Sequence, residues 1–199
     1  MTVNKCYAAL TPIVFKKVKQ LVLGVETPWY ATMTDYYSAQ PNIYSHSWTH
    51  FAIMDGKSIS PLGDSLMIAA LSALENSGQN VDQIIRIRLG LHSIGPQQFT
   101  GGAHVDLPYP HMVGLLYLNN GDGDTQIYNE KYDSLANTDT YQYFQQVHKG
   151  QSTIMETSTP KENKLIWFNG LHYHASQSPT TVANRVVINI NYTTKETKW

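Results

Sequence analysis

Short apolar segments separated by tight turns, with no regular alternation of strand and helix, predict a mainly β chain with a closed or sandwiched core. Composition agrees: of 199 residues only 15% are charged, and thirteen are tyrosines. Aromatic side chains suit pleated, half-buried surfaces. Glycine and proline punctuate the chain without forming runs, there is no internal repeat, and the length suits one domain spanning 1–199.

Taken in order, Pro12 to Val18 and Gln20 to Leu23 read as early strands. The Tyr-, Ser- and Asn-rich stretch from Trp29 to Trp48 reads as a surface loop that covers the core or forms a substrate lid. Pro61 to Ser77 is predicted helical, because Leu62, Leu66, Ile68, Ala69 and Leu74 recur at three-to-four spacing and Gly78 can close the last turn. This helix should buttress a sheet from outside. Ile84 to Leu91 alternates as a strand that puts Arg86 and Arg88 on one face, in an ion-paired or solvent-facing role or on an anionic substrate. Residues 93–103, with Gly95-Pro96 and Gly101-Gly102, form a loop. Asn137 to Lys149 carries Tyr141, Phe144 and Val147 at helical spacing, an inserted short helix. Gln151 to Thr157, Lys164 to Phe168 and Leu171 to Ala175 read as strands, with a turn at Asn169-Gly170. In the last strand, Arg185, Val187, Asn189 and Asn191 share one face and Val186, Ile188 and Ile190 the other. The apolar set packs against a neighbouring layer, and the set with Arg and Asn lines a polar interior.

The chemistry is concentrated in His104-Val105-Asp106, answered downstream by His174 and Arg185. If 103–106 ends a strand, His104 and Asp106 project from the same face and reach one ion. Two imidazoles and one carboxylate leave open positions on a metal, the facial arrangement of non-haem Fe(II) oxygenases. The guanidinium of Arg185 offers a fork for a carboxylate, such as the distal one of 2-oxoglutarate. His172 and His174 stand two apart and are both candidate ligands.

The ordered set His104-Val-Asp106, Leu116-Tyr-Leu-Asn119, Gly121-Asp-Gly-Asp-Thr125, His174-Ala-Ser176 and Arg185 resembles the Fe(II)/2-oxoglutarate-dependent dioxygenases, in particular the prolyl 4-hydroxylase-like branch. The matching stretch runs from about Ile84 to Tyr192. The resemblance implies a double-stranded β-helix, the jelly-roll barrel, with one or two helices outside and the metal at its open mouth. It implies that His104, Asp106 and His174 hold iron, the gap of eleven residues from His174 to Arg185 favouring His174 over His172. Arg185 would bind the distal carboxylate of 2-oxoglutarate, with Tyr117 donating its hydroxyl to the same group. Asn189 would lie beside the metal ligands and His92 beside the co-substrate. The family's usual Gly-Gly-x-Thr turn is replaced here by Gly121-Asp-Gly-Asp-Thr125. Halogenating relatives are expected to lack the carboxylate that Asp106 supplies, so the implied reaction is hydroxylation of an unactivated C–H bond. It would consume O2 and 2-oxoglutarate and release succinate and CO2, with ascorbate a candidate reductant.

The alternatives are a cupin-like metal enzyme that does not use 2-oxoglutarate, which has no need of Arg185 or Tyr117, and a non-catalytic jelly-roll binding module. The expected substrate is a prolyl residue of a peptide or protein, a free amino acid or another small molecule, with Tyr109, Trp167 and Tyr173 as candidate walls. Fourteen basic against fifteen acidic residues provide no extended positive surface for nucleic acid, and Lys16-Lys17-Val-Lys19 reads as a solvated face. The single Cys6 precludes an internal disulfide, and no stretch resembles a signal peptide or a membrane span. A soluble cytoplasmic protein is expected, and nothing in the sequence indicates its oligomeric state.

Overall fold

The computed structural model describes residues 3–32, 46–133, 142–144 and 152–197. The long strands β5 (Val81–Ser93) and β11 (Asn184–Thr194) lie at the centre of an eight-stranded antiparallel sheet. From β11 the sheet continues through β6 (Met112–Tyr117) and β9 (Lys164–Asn169) to β1 (Asn4–Tyr7). From β5 it continues through β3 (Ser47–Met54) to β2 (Tyr30–Thr32), with the short β4 (Lys57–Ser58) also on β3. A smaller antiparallel sheet has the order β10 (His172–Ser176), β7 (Thr125–Lys131), β8 (Ile154–Ser158). This is the mainly β jelly roll that the sequence predicts.

Register explains why one sheet has two characters. Across β5 and β11 the paired residues are His92 with Arg185, Gly90 with Val187, Arg88 with Asn189 and Arg86 with Asn191. Directly opposed residues share a face, so all of these line the interior. The alternate positions, Ile87, Leu89, Val186, Ile188 and Ile190, are buried on the outer face. They pack there with α1 (Pro12–Val22) and α2 (Gly63–Asn76).

Helix α2 matches the sequence expectation and ends at Gly78, whose φ of +79° suits glycine. Leu66, Ala69, Ala70, Ala73 and Leu74 form its buried stripe, whereas Ile68 is 67% exposed and does not belong to it. Residues 12–22 form helix α1 and not the early strands expected there. Pro12 presets the first helical turn, and Phe15, Val18 and Val22 recur at helical spacing on the buried face. The β-branched Ile13 and Val14 suggested strand, but both are exposed. Lys19 of the basic cluster pairs with Glu162 at 2.8 Å on the surface.

Residues 33–45, the centre of the expected covering loop, lie outside the described residues, as does most of 137–149, of which 142–144 are helical. Among the described residues no helix is long and apolar enough to cross a membrane.

Since α2 packs on the face opposite the polar interior, a cavity made there should affect stability and not the site. Leu66 is fully buried. Leu66→Ala is expected to lower the unfolding free energy by about 2–5 kcal/mol in urea titration. Metal affinity should be unchanged.

Candidate metal and anion site

The loop 103–106 does not form the strand end expected from the sequence. It carries an isolated antiparallel bridge, His104 opposite His174. The two residues exchange both main-chain hydrogen bonds, His104 N to His174 O at 3.1 Å and His174 N to His104 O at 2.9 Å. Gly101-Gly102 before it and Pro108 and Pro110 after it prevent a longer ladder. The bridge puts both imidazoles on the same side, with ring centroids 4.9 Å apart.

Each ring is also set in one tautomer. His104 Nδ1 lies 2.9 Å from Gly102 O, and His174 Nδ1 lies 3.2 Å from His172 O. A carbonyl only accepts, so Nδ1 carries the hydrogen and Nε2 presents a lone pair. His174 Nε2 is buried with no hydrogen-bond partner, which suits a metal ligand. Burial, then neighbouring His174, lowers the pKa of His104 to about 4, so that ring is neutral near pH 7. The Nε2 atoms of His104 and His174 lie 4.0 and 3.6 Å from the Asp106 carboxylate, and the ligand atoms of all three residues fall within 4.8 Å of one another. The donor set of two imidazoles and a carboxylate fits a divalent transition metal.

Asp106 has only 2% of its side chain exposed. Burial raises its pKa, but Arg86, then the adjacent His174 and Arg88, outweigh this and hold the carboxyl well below the usual range. Arg86 Nη2 lies 2.8 Å from Oδ1, while Asn189 and Asn191 each donate Nδ2 to Oδ2 at 2.9 Å. Arg86 Nε donates to Asn191 Oδ1 at 2.7 Å, joining the network. Arg86 takes the ion-paired role that the sequence allows it, and the alternation of β11 puts Asn191 on the same face as Asn189.

His172 is not in this cluster. A register shift separates it from His174, and its Nδ1 lies 2.8 Å from Tyr128 O. The extra residues of this irregularity lie on β7, and the bond to Tyr128 O ties the His172 ring to that strand.

Behind the triad a chamber of about 50 Å³ is lined by residues that include His174, Thr125, Arg185, His92 and Arg88. Arg185 is 2% exposed. It donates from Nε to Gly123 O at 2.6 Å and from Nη2 to Thr125 Oγ1 at 2.7 Å, with its guanidinium carbon 5.6 Å from the centre of the Tyr117 ring. Its hydrogen-bond partners are neutral oxygens, and no carboxylate among the described residues ion-pairs with it. Tyr117 does not line the chamber. It is fully buried behind Thr125, to whose Oγ1 it donates at 2.8 Å. Thr125 Oγ1 thus accepts from both Arg185 and Tyr117, and its own hydrogen is left to donate. His92 lies on the same wall, with Nε2 3.2 Å from Ser176 Oγ. Burial first, then Arg185 and Arg88, lowers its pKa to about 3.

The turn that carries Thr125 is shaped by sterics. A Cβ on Gly123 would lie 2.7 Å from Gln177 O and 2.8 Å from Arg185 Cδ. Only glycine lets the main chain approach Arg185 so closely. Asp122 ties this turn to the β10–β11 loop by accepting from Thr180 N at 2.9 Å, Thr180 Oγ1 at 2.6 Å and Thr181 N at 3.1 Å.

In front of the triad a larger cavity of about 350 Å³ is walled by Trp48, Phe51 and Phe99, with Arg86, Arg88 and His104 among its polar lining. The walls expected from the sequence lie elsewhere. Tyr173 is fully buried in a cluster with Tyr128 and Phe144, and Trp167 packs against the outer core. Tyr109 stacks edge-on against His111, outside the cavity lining.

No family model matches the sequence, and no curated protein is similar to it. Solved structures do match. An oxidoreductase of the 2OG-Fe(II) oxygenase family from Burkholderia pseudomallei is 10% identical over 96% of this chain and 84% of its own, with a TM-score of 0.63. The epimerase SnoN, solved with Fe3+, alpha ketoglutarate and nogalamycin RO, is 10% identical over 96% and 78%, with a TM-score of 0.66. A prolyl-4-hydroxylase from Pseudomonas putida is 12% identical over 98% and 93%, with a TM-score of 0.58. The chain therefore shares the fold of these enzymes.

The Asp122 clamp has a pH signature. Burial raises its carboxyl pKa, but the bonds from Thr180 and Thr181 outweigh this and hold it well below the ordinary value of 3.8. A folded-state value below the unfolded one gives stability that is complete above the ordinary value and fades as pH falls through the folded one. Asp122→Ala should lower the unfolding free energy by about 1–3 kcal/mol at neutral pH. The gap to wild type should narrow below about pH 4. Urea unfolding across pH checks this, and a pH-independent gap would contradict it.

Proposed function

We propose that this chain is an Fe(II)- and 2-oxoglutarate-dependent dioxygenase that hydroxylates an unactivated C–H bond. The observation that carries the reading is Arg185, a buried guanidinium at the inner end of the chamber whose partners are neutral oxygens. A buried charge is costly unless it is paired, so the chamber is built to receive an anion. Its other end is the cluster of His104, Asp106 and His174. An anion that must reach both a metal and a distant guanidinium is a dicarboxylate such as 2-oxoglutarate.

In this reading His104 Nε2, His174 Nε2 and an Asp106 oxygen hold Fe(II), and Arg86, Asn189 and Asn191 fix the carboxylate. Arg185 takes the distal carboxylate of 2-oxoglutarate through its fork. Thr125 donates to the same carboxylate, and Tyr117 supports Thr125 from behind in place of the direct contact expected of it. His92, neutral, flanks the co-substrate. Bound iron and 2-oxoglutarate supply the oxidising chemistry from O2, with release of succinate and CO2, and ascorbate can serve as reductant. The protein's part is to hold the target C–H bond in the outer cavity and to exclude competing reactions. A prolyl residue is a candidate target through the likeness to a prolyl-4-hydroxylase, while the likeness to an epimerase means that this fold is not confined to hydroxylation. A cupin-like enzyme with no use for 2-oxoglutarate would leave Arg185 with no anion in the chamber, the Asp124 carboxylate acting on it only from beyond ion-pair distance.

The test is anaerobic titration of the apo-protein with Fe(II) and 2-oxoglutarate, watched for the visible charge-transfer absorption of the metal-bound co-substrate. The band should appear in wild type, vanish in His104→Ala, and require far more 2-oxoglutarate in Arg185→Ala. Iron binding with no band at any 2-oxoglutarate concentration would rule the reading out.

Gly123→Ala should weaken 2-oxoglutarate by about ten-fold or more, because loss of one charge-assisted bond is of that size. Gly121→Ala is the control, since a Cβ there meets only the end of the Val182 side chain, at 2.9 Å. Equal affinities in the two variants would separate the turn from Arg185.

A further inference from the structure

Strand β5 carries a glycine that the fold does not require. Gly90 lies in the interior of the strand and is paired on both sides, with Val187 of β11 and Thr49 of β3, and no register shift falls there. Among the described glycines positive φ is confined to Gly56 and Gly78, so the conformation at position 90 is open to any residue. Among the described residues a Cβ at Gly90 would meet only Val187 Cγ2, at 3.5 Å, an ordinary contact. The crowding that makes Gly123 necessary is absent here. Glycine in a strand interior gives up packing and adds conformational entropy to be lost on folding. Where neither a bulge nor crowding calls for it, it marks a place where a ligand comes close to the main chain.

Register says which place that is. On the inner face β11 presents Asn191, Asn189, Val187 and Arg185 in order, and β5 presents Arg86, Arg88, Gly90 and His92 opposite them. Asn191, Asn189 and Arg86 hold Asp106 and so mark the metal end of this row, while Arg185 marks the other end. The pair Val187 and Gly90 is the rung between the two ends. A ligand that joins the metal cluster to Arg185 crosses this rung. Gly90 and Val187 both line the inner chamber, whose volume is about 50 Å³. A space of that size has little room to spare, so a single methyl group added to its lining would be felt by whatever fills it.

We propose that Gly90 is the specificity-determining residue for the ligand that bridges the metal cluster and Arg185. The carbon chain of that ligand lies against the bare main chain of β5 at this rung, in the space a side chain would fill. This rests on the assignment of the chamber to 2-oxoglutarate. A side chain at position 90 would separate the metal end from Arg185 and leave the residues at both ends in place.

The Mn(II)-loaded protein, in which 2-oxoglutarate binds without turnover, is titrated calorimetrically with 2-oxoglutarate and with oxalate, a metal chelator too short to reach Arg185. Gly90→Ala should weaken 2-oxoglutarate by about ten-fold, the cost of forcing one methyl group into a filled space, and Gly90→Val should weaken it further. Mn(II) and oxalate should bind alike in wild type and in both variants. Urea unfolding should show both variants at least as stable as wild type, since the strand accepts a side chain here. Unchanged 2-oxoglutarate affinity in Gly90→Val overturns the proposal. So does a parallel loss of oxalate or Mn(II), which would place the damage at the metal, and so does a fall in stability with Gly90→Ala, which would make the glycine structural. Binding of 2-oxoglutarate to the wild-type Mn(II) protein is measured first. Its absence removes both readings, whereas binding that is insensitive to residue 90 removes only this one.

Discussion

A carboxylate with 2% of its side chain exposed is the constraint around which the interior is arranged. Leaving Asp106 charged in that position without partners would cost several kcal/mol (~3–5). The sheet therefore turns a row of polar side chains towards it: Arg86 from β5, and Asn189 and Asn191 from β11. Those residues face inward because β11 alternates strictly, and β11 alternates because its other face belongs to the apolar core. Core and site are thus two sides of the same strand. A register slip by one residue would bury Arg185 and both asparagines among the helices and present Val186, Ile188 and Ile190 to the metal cluster.

The second constraint is that the residues of the candidate site come from distant segments and still meet. His104 and His174 are joined main chain to main chain, so their separation does not depend on side-chain packing alone. Asp106 follows two residues later, in a loop too short to wander and anchored by its charge network. Arg185 is placed from another direction, by the Gly121–Thr125 turn that it reaches through Gly123 O and Thr125 Oγ1. That turn is clamped by Asp122 to the loop that leads into β11, so the strand carrying the arginine and the turn receiving it are tied together. Such double attachment holds a binding group rigidly in place.

Much of this was legible in the sequence where a residue's direction follows from period. The faces of β11 and the buttressing helix α2 rest on local periodicity, and the structure keeps them, whereas His104 and Asp106 come together from a loop and not from the strand end that periodicity implies. What escaped depends on contacts between distant residues. Residues 12–22 have the composition of a strand at Ile13 and Val14, and only their exposure to solvent shows that this carries no weight in helix α1. The spacing makes His172 and His174 equal candidates, and only the fold shows that the His172 ring is tied to Tyr128 O. Thr125 entered only as a turn residue, because its role comes from two donors, Arg185 and Tyr117, that are brought to it by the fold. Arg86 was expected to be solvent-facing or ion-paired, and its partner proved to be Asp106 itself.

The division into a small inner chamber and a larger outer cavity also bears on the order of events. The two spaces share Arg88, Gly90, His92, His104 and Ser176 in their linings, so they adjoin beside His104. A ligand on Arg185 is then covered by whatever fills the outer space. Gly90 lies at this junction, opposite Val187, and a Cβ there would meet only Val187 Cγ2, at 3.5 Å. The strand could accept a side chain at this position, and it would narrow the passage between the two spaces.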